Sequence, residues 1–262
     1  MVPDVGAFRT GDVLKGLQTM PAGSFLAHLP PELWPLLVGF WGPVSRVYQR
    51  EDSLPIGPRD SDVHIVLGGC VRQDRFPFGT GGSPDDGGDG KDPRITRFRG
   101  VGQLLGEAKL IEEHAAVRTT CLTTTWVMSC SATRMMAFLT RHPHSERALL
   151  RSLEDRNRDD EMVYGTATRT PVERVGGLLA HLARVAGTTD PERPGHISVL
   201  GLSQRDIAEA LLLGVSTVET AIRRLRTPAK GSGLPPGGVL RSKYRQFVVT
   251  DLPALQHLTG VR

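Results

Sequence analysis

The spacing of hydrophobic positions changes near residue 132. Before that point, short runs of Val, Ile, Thr and aromatic residues alternate with clusters of Gly, Pro and Asp, which is typical of short strands separated by turns. Strands are predicted over residues 44–49, 63–67, 70–76, 95–98 and 119–129, with a hairpin turn at 67–70. A short helix over residues 31–40 is predicted to precede them, because a Pro-Glu pair suits a first helical turn. The first half is therefore predicted to be a sheet domain.

Two segments of this half carry too few apolar residues to pack. Residues 77–93 are nearly all Gly, Pro, Asp and Ser, and they are predicted to be a mobile insertion at the tip of a hairpin, since strand-like segments lie on both sides. A phosphate-binding loop is the alternative, but the segment lacks the GxxxxGK[ST] pattern and its aspartates would repel phosphate. Residues 1–24 are predicted to form a loose arm.

After residue 132 the apolar positions recur with a helical period. Helices are predicted over residues 132–141, 144–164 and 171–186, followed by a polar loop over 188–195. Residues 202–225 then form two short helices joined by a tight turn. Ser203 is expected to cap the first helix with Asp206 as its capping-box partner. Residues 239–250 are predicted to be a basic hairpin.

This last arrangement is typical of a winged helix–turn–helix, which places its second helix in a DNA groove. Its outer face offers hydroxyl, carboxylate and guanidinium groups for bases and phosphates, and the hairpin offers three cations. The predicted DNA-binding residues are Ser203, Gln204, Val215, Ser216, Thr217, Glu219, Thr220, Arg223, Arg224, Arg241, Lys243 and Arg245. The alternative is an ordinary helical bundle with a solvated basic face.

Composition narrows the class of protein only slightly. The chain has 262 residues, a net charge of +4 and a pI of about 9.2, and only five of its 32 basic residues are lysines. Arginine suits phosphate contacts, although a high-GC genome also explains its excess. Three cysteines without a CxxC pair favour neither a disulfide framework nor a zinc site. With no apolar run of membrane-spanning length and no secretion signal, a cytoplasmic location is predicted.

The order of elements over residues 25–255 resembles the Crp/Fnr family of bacterial transcription regulators. The segments LSQRDIA and TVETAIRRL carry the resemblance, together with the following hairpin, Leu105–Leu110 and the Arg118-Thr119 pair. It implies an α+β fold: an antiparallel, cupin-like β-roll over residues 25–141, a long dimerisation helix over 142–168 and a winged helix–turn–helix over 169–262.

In members that bind cyclic nucleotides, a Gly-Glu pair holds the ribose and an Arg-Ser/Thr pair holds the phosphate. The resemblance therefore implies that Gly106, Glu107, Arg118 and Thr119 bind an effector, a cyclic nucleotide or cyclic dinucleotide. Asp159 and Asp160 are expected to meet its base. The alternative is that Glu107 and Arg118 form an internal ion pair that holds a vacant roll, in a regulator or interaction protein that needs no ligand.

The resemblance also implies partners: double-stranded DNA, a second copy of the chain and RNA polymerase. A dimer would use the apolar ends of the long helix, at Leu149, Leu150, Leu153, Met162 and Val163. Either Val215 or Thr217 falls where an arginine often reads guanine, so the operator is not predicted. With no cysteine before Cys70, an iron–sulfur cluster is not expected. No catalytic arrangement is legible, and an enzyme is not predicted.

Overall fold

The computed structural model describes residues 20–41, 45–56, 60–76, 94–111, 117–165, 168–190, 192–229, 231 and 233–260. The chain divides into two compact units, with the boundary between Arg156 and Asn157. In the described parts of the chain, no helix is both long and apolar enough to cross a membrane.

In the described residues of the first unit, eight strands form two antiparallel sheets. Helices α1 (Phe25–His28) and α2 (Trp34–Trp41) precede them, with a 3-10 turn (Pro31–Leu33) in between. The strands are β1 (Ser45–Tyr48), β2 (Ser53–Leu54), β3 (Asp62–Gly68), β4 (Val71–Arg75), β5 (Ile95–Arg99), β6 (Leu104–Leu105), β7 (Val117–Cys121) and β8 (Thr125–Ser131). The first sheet has the order β1-β8-β3-β6 and the second β2-β7-β4-β5.

Two details of the predicted sheet domain were wrong. The single strand expected over 119–129 is two strands, β7 and β8, which lie in different sheets. The turn at residues 67–70 is not a hairpin turn either, because it carries the chain from β3 in one sheet to β4 in the other. Gly69 has a φ of 90° there, and a Cβ atom would lie 2.5 Å from the carbonyl oxygen of Thr124. Only glycine fits this bend without strain.

Strand β3 of the first sheet is buried on both faces, which explains its continuous apolar run. Val63, Ile65 and Leu67 pack against helices with Phe25, Trp34 and Phe138 among their partners in one core cluster. Val66 points to the other side, where it joins Val71 and Cys121 of the second sheet in the interior of the roll. Strand alternation thus gives the roll an inner core and a separate helical layer.

The predicted insertion at 77–93 lies outside the described residues. The strands that flank it, β4 and β5, pair antiparallel with Arg75 opposite Ile95. Most of the predicted arm, residues 1–19, also lies outside the described residues, whereas Ser24 is buried and caps α1 through a bond from the Ala27 amide.

Helices α3 (Ala132–Arg141) and α4 (Pro143–Tyr164) follow the roll and agree with the sequence prediction. The apolar residues expected to join two copies along α4 are largely used within the chain. Leu149 belongs to the helical core with Leu153 packed against it, and Val163 is buried, whereas Leu150 stays 60% exposed. Leu150 is therefore the residue of the predicted seam that stays exposed for a dimer along α4.

The second unit is a winged helix–turn–helix with one sheet of order β11-β12-β10-β9. Its elements are α5 (Pro171–Ala186), β9 (Thr188–Thr189), β10 (Ile197–Leu200), α6 (Gln204–Leu211), α7 (Val215–Arg226), β11 (Leu240–Lys243), β12 (Gln246–Val249) and α8 (Leu252–Thr259). The sequence reasoning missed β9, β10 and α8. The two strands are two and four residues long, too short for a periodic pattern to show.

Candidate effector pocket and nucleic-acid interface

One end of the roll interior holds a buried carboxylate. Gly106 has a φ of 77° and starts the 3-10 turn Glu107–Leu110, which directs the Glu107 side chain inward, where it is 10% exposed. Arg156 of α4 donates to Glu107 Oε1 from Nη2, and its Nη1 donates to the Leu104 carbonyl at 3.4 Å. Arg75 Nη2 lies 3.9 Å from the same carboxylate oxygen. The vacant-roll alternative supposed an ion pair between Glu107 and Arg118. The internal partner of Glu107 is instead Arg156.

The charge state of Glu107 follows from these neighbours. Burial by itself would raise the pKa of the carboxyl group. The charge and hydrogen bond of Arg156, with a further contribution from the charge of Arg99, outweigh burial and hold the pKa of Glu107 below its ordinary value. The group is thus a carboxylate at neutral pH and an acceptor only.

A set of arginines faces the same interior and was missed in the sequence. Gln73 and Val71 of β4 point into the roll, and the register places Arg97 and Arg99 of β5 directly opposite them, hence on the same face. Arg99 is 6% exposed, while Arg75 further along the same face of β4 is half-exposed. The Arg-x-Arg alternation at 97–99 was the available signal, because period two puts both side chains on one face of a strand.

Arg118 and Thr119 lie on opposite faces of β7. Thr119 is buried and accepts a hydrogen bond from Gln73 Nε2 at 3.5 Å, so its side chain faces the interior of the roll, as that of Glu107 does. Arg118 is exposed on the outer face, where its guanidinium carbon lies 5.8 Å from the centroid of the Phe76 ring. The structure therefore brings Gly106, Glu107 and Thr119 to the interior and leaves Arg118 outside it.

The two aspartates expected to meet a ligand base lie near the end of α4. Asp159 Oδ1 accepts from Arg184 Nη2 at 2.8 Å, and its Oδ2 lies 3.7 Å from Nδ1 of the buried His181. Asp160 is half-buried. Within the second unit, the Asp159 carboxylate is thus already bonded to α5, and its role towards an effector stays a prediction.

The interior beside Glu107 has little free space. A depression lined by Gln73, Arg75, Gly106, Glu107, Lys109 and Val117 encloses about 10 Å³, comparable with the volume that one water molecule requires. A nucleotide would have to widen this opening. Among the described residues, no group of three or more His, Cys, Asp and Glu side chains is placed to hold a metal ion.

In the second unit, the first helix of the helix–turn–helix is fixed by a capping box. The Asp206 amide donates to Ser203 Oγ at 3.1 Å, and the Ser203 amide donates to Asp206 Oδ2 at 2.9 Å, as predicted. The Ser203 hydroxyl thereby has a structural task, and Gln204 is the first residue of α6. Arg174 of α5 donates to the carbonyl of Leu211 and so holds the other end of this helix.

The turn between the helices contains a backbone feature that the sequence did not reveal. Leu212 is in the left-handed region, with φ 52° and ψ 48°, and is 83% exposed. Left-handed backbone costs a residue with a Cβ atom about 1–2 kcal/mol, and glycine is usual at such a helix end. Gly214 then precedes α7, so the turn is Leu212–Gly214 and Val215 already belongs to the helix.

Helix α7 divides cleanly into a buried and an exposed face. Val218, Ile222 and Leu225 are buried, as predicted from their spacing. The exposed residues are Val215, Ser216, Glu219, Thr220, Arg223, Arg224 and Arg226. Of the two positions proposed for the guanine-reading arginine, Val215 is 49% exposed in the first turn, whereas Thr217 is half-buried. Residue 215 is therefore the one directed outward.

The wing is attached directly to the end of α7. The Val239 amide donates to the Leu225 carbonyl at 3.0 Å, and Gly238, with φ 72°, passes so close that a Cβ atom would lie 2.2 Å from the Arg226 carbonyl oxygen. The hairpin β11–β12 turns at Tyr244 and Arg245. Arg241 and Lys243 are exposed on β11, Arg245 is half-buried, and Tyr244 is 86% exposed at the tip. Tyr244 is an interface candidate that the sequence reasoning overlooked.

Several solved structures share this architecture. A CRP-family transcriptional regulator from Thermus thermophilus is 19% identical, with a TM-score of 0.59 over 82% of this chain and 96% of the other. FixK2 from Bradyrhizobium japonicum is 20% identical, with a TM-score of 0.57 over 82% and 96%. A candidate cyclic nucleotide-binding protein from Ruegeria pomeroyi is 18% identical, with a TM-score of 0.58 over 93% and 96%.

No protein-family profile matches the chain, and no curated protein matches it in sequence. At identities near 20% the structural likeness establishes the fold. The α+β fold predicted from the resemblance, with a β-roll, a long helix and a winged helix–turn–helix, is confirmed, and the resemblance to the Crp/Fnr regulators holds at that level.

Proposed function

We propose that the protein is a DNA-binding transcription regulator of Crp/Fnr type. One observation carries this proposal: within the second unit, the exposed polar face of α7 ends in Arg223 and Arg224, and a basic wing is bonded to the end of the same helix. A helix of this kind fits the major groove, and wing cations beside it neutralise phosphates. The residues proposed for base contacts are Val215, Ser216, Glu219, Thr220 and Arg223.

The proposed regulator acts as a homodimer on a near-palindromic site, with two recognition helices about one turn of DNA apart. The dimer is supported by the likeness to regulators of this fold and by the exposed Leu150 on α4. RNA polymerase is a further proposed partner. The other predicted DNA-binding residues are Arg224 near the end of α7, Arg241, Lys243 and Arg245 on the wing, and Ser203, Gln204 and Thr217 at helix starts.

We also propose that the roll takes an anionic small molecule such as a cyclic nucleotide or dinucleotide. Glu107 can accept a hydrogen bond from a ribose hydroxyl, and Arg75, Arg97 and Arg99 on the interior face supply positive charge for a phosphate. This interior set replaces Arg118 in the proposal, because Arg118 points outward. Binding would require Arg156 to leave Glu107 and the depression to open.

A second function has specific support. The enclosed space of about 10 Å³ and the internal Glu107–Arg156 bond favour a regulator whose roll stays closed and whose DNA binding needs no ligand. In that case Glu107 and Arg156 stabilise the roll and do not sense an effector.

DNA binding is tested by a salt titration on a duplex of about 40 base pairs. Each lost phosphate contact is expected to reduce the slope of log K against log salt by about one. Arg241→Ala and Lys243→Ala should therefore weaken binding to all duplexes and lower the slope. The control is Arg193→Ala, an exposed arginine in the loop before β10 whose backbone makes hydrogen bonds within that loop. Salt-independent binding, or equal slopes for all three variants, would contradict the proposal.

A further inference from the structure

The first turn of α7 lacks the side chains that usually read purines. Guanine and adenine edges are read in pairs by Arg, Lys, Asn or Gln. From Asp206 to Ile222 the chain contains none of these four residue types. The nearest candidate, Arg223, lies two turns into the helix, whereas helix–turn–helix proteins read base edges mainly with the first residues of the recognition helix.

What the first turn offers in their place is an apolar group. Val215 is the first residue of α7 and is 49% exposed. A single exposed valine on a protein surface needs no explanation. This one, however, lies on the exposed face of α7 one turn before Glu219, and exposed cations are present at the far end of α7 and on the wing. Those charges favour a polyanion over an apolar protein partner.

In the major groove, the one apolar group that a base presents is the 5-methyl group of thymine. We infer that the first turn of α7 recognises A·T base pairs through this methyl group, with Val215 as the contact. Glu219 lies one turn further on the same face, where its carboxylate accepts a hydrogen bond from a base amino group, such as that of adenine. The inference rests on the proposed DNA binding and specifies what the same helix reads.

The test uses the full-length chain and starts with selection of binding sites from a random duplex library. Thymine is expected at one fixed position of each half-site. Each thymine of the selected duplex is then replaced by deoxyuridine, which differs only by the missing methyl group. Loss of one buried methyl contact corresponds to about fourfold weaker binding, and it should occur at that position.

The Val215→Ala variant, which loses two of the three side-chain carbons, should discriminate between the thymine and uracil duplexes less than the wild type does. Val215 is exposed, so the substitution leaves the fold intact, which circular dichroism verifies; Arg193→Ala is the control that keeps the thymine preference. The inference is overturned if selection returns guanine at that position, if it returns no preferred sequence, or if no uracil substitution weakens binding. Absence of salt-sensitive binding to any duplex is a different result, since it would overturn the proposed function itself.

Discussion

Replacing Arg156 by methionine is expected to destabilise the roll through the carboxylate it leaves behind. The Glu107 and Arg156 side chains are 10% and 13% exposed. Removing one partner of such a buried pair costs about 3–5 kcal/mol, because the other charge stays buried without compensation. Arg75 remains at 3.9 Å, but its side chain is 53% exposed, so solvent screens its attraction and it recovers about 1 kcal/mol. A loss of about 2–4 kcal/mol is expected near pH 7.

Urea unfolding followed by tryptophan fluorescence measures this loss of unfolding free energy in the first unit. All three tryptophans, Trp34, Trp41 and Trp126, belong to the first unit, so the signal reports the roll. With about 2 kcal/mol per molar urea, the midpoint should fall by about 1–2 M. Arg151→Met, at an exposed position of the same helix, is the matched control and should shift the midpoint little.

The pH dependence identifies the cause. In the wild type the pKa of Glu107 is lowered, so its contribution to stability is present above the unfolded pKa of about 4.3 and is lost as pH falls through the folded pKa. Without Arg156, burial raises the pKa of Glu107, and the penalty disappears as the group is protonated. The gap between variant and wild type should therefore narrow towards about pH 4.5. A gap that stays constant with pH, or a loss no larger than that of Arg151→Met, would refute the electrostatic argument.

Two further predictions concern the ligand and the turn. At least one ligand from a panel of cyclic nucleotides and dinucleotides is expected to raise the melting temperature of the roll. The Arg99→Met variant should lose this shift, whereas the Arg118→Ala variant should keep it. If no ligand of the panel shifts the melting temperature, the closed roll is favoured. Leu212→Gly is expected to stabilise the second unit by about 1 kcal/mol, because glycine adopts the left-handed backbone without strain. Leu212→Ala, which keeps the Cβ atom, should gain little, and a thermal melt followed by circular dichroism separates the two.

The DNA-binding half was accessible from the sequence because its signals are local. The two residues of the Ser203–Asp206 capping box are three positions apart, and the buried residues of α7 recur every three or four positions. Both patterns can therefore be recognised within a short stretch of sequence. The bounds of α3 and α5 followed from the same periodicity. Even here the left-handed backbone of Leu212 was not predicted, because leucine at a position does not indicate this conformation.

The roll shows what local patterns leave open. Strands were found, but their sheets were not, since the bend at Gly69 moves the chain between sheets without changing its composition. The motif contains Glu107 and Arg118 eleven residues apart, but it does not indicate on which face of its strand the Arg118 side chain lies. A strand alternates its faces with period two, and its register decides which face is inside. That register put Thr119 inward and Arg118 outward.

The sequence by itself determined the change from a strand-rich first half to a helical second half and the winged helix–turn–helix, and its resemblance to a known family pointed to Gly106 and Glu107. Tertiary structure decided which charges meet there. Arg156 is 49 positions from Glu107, and Arg97 and Arg99 reach the interior only through pairing of β5 with β4. Such contacts depend on how helices and sheets pack, because a carboxylate taken out of water requires a cation nearby but places no constraint on where in the sequence that cation lies.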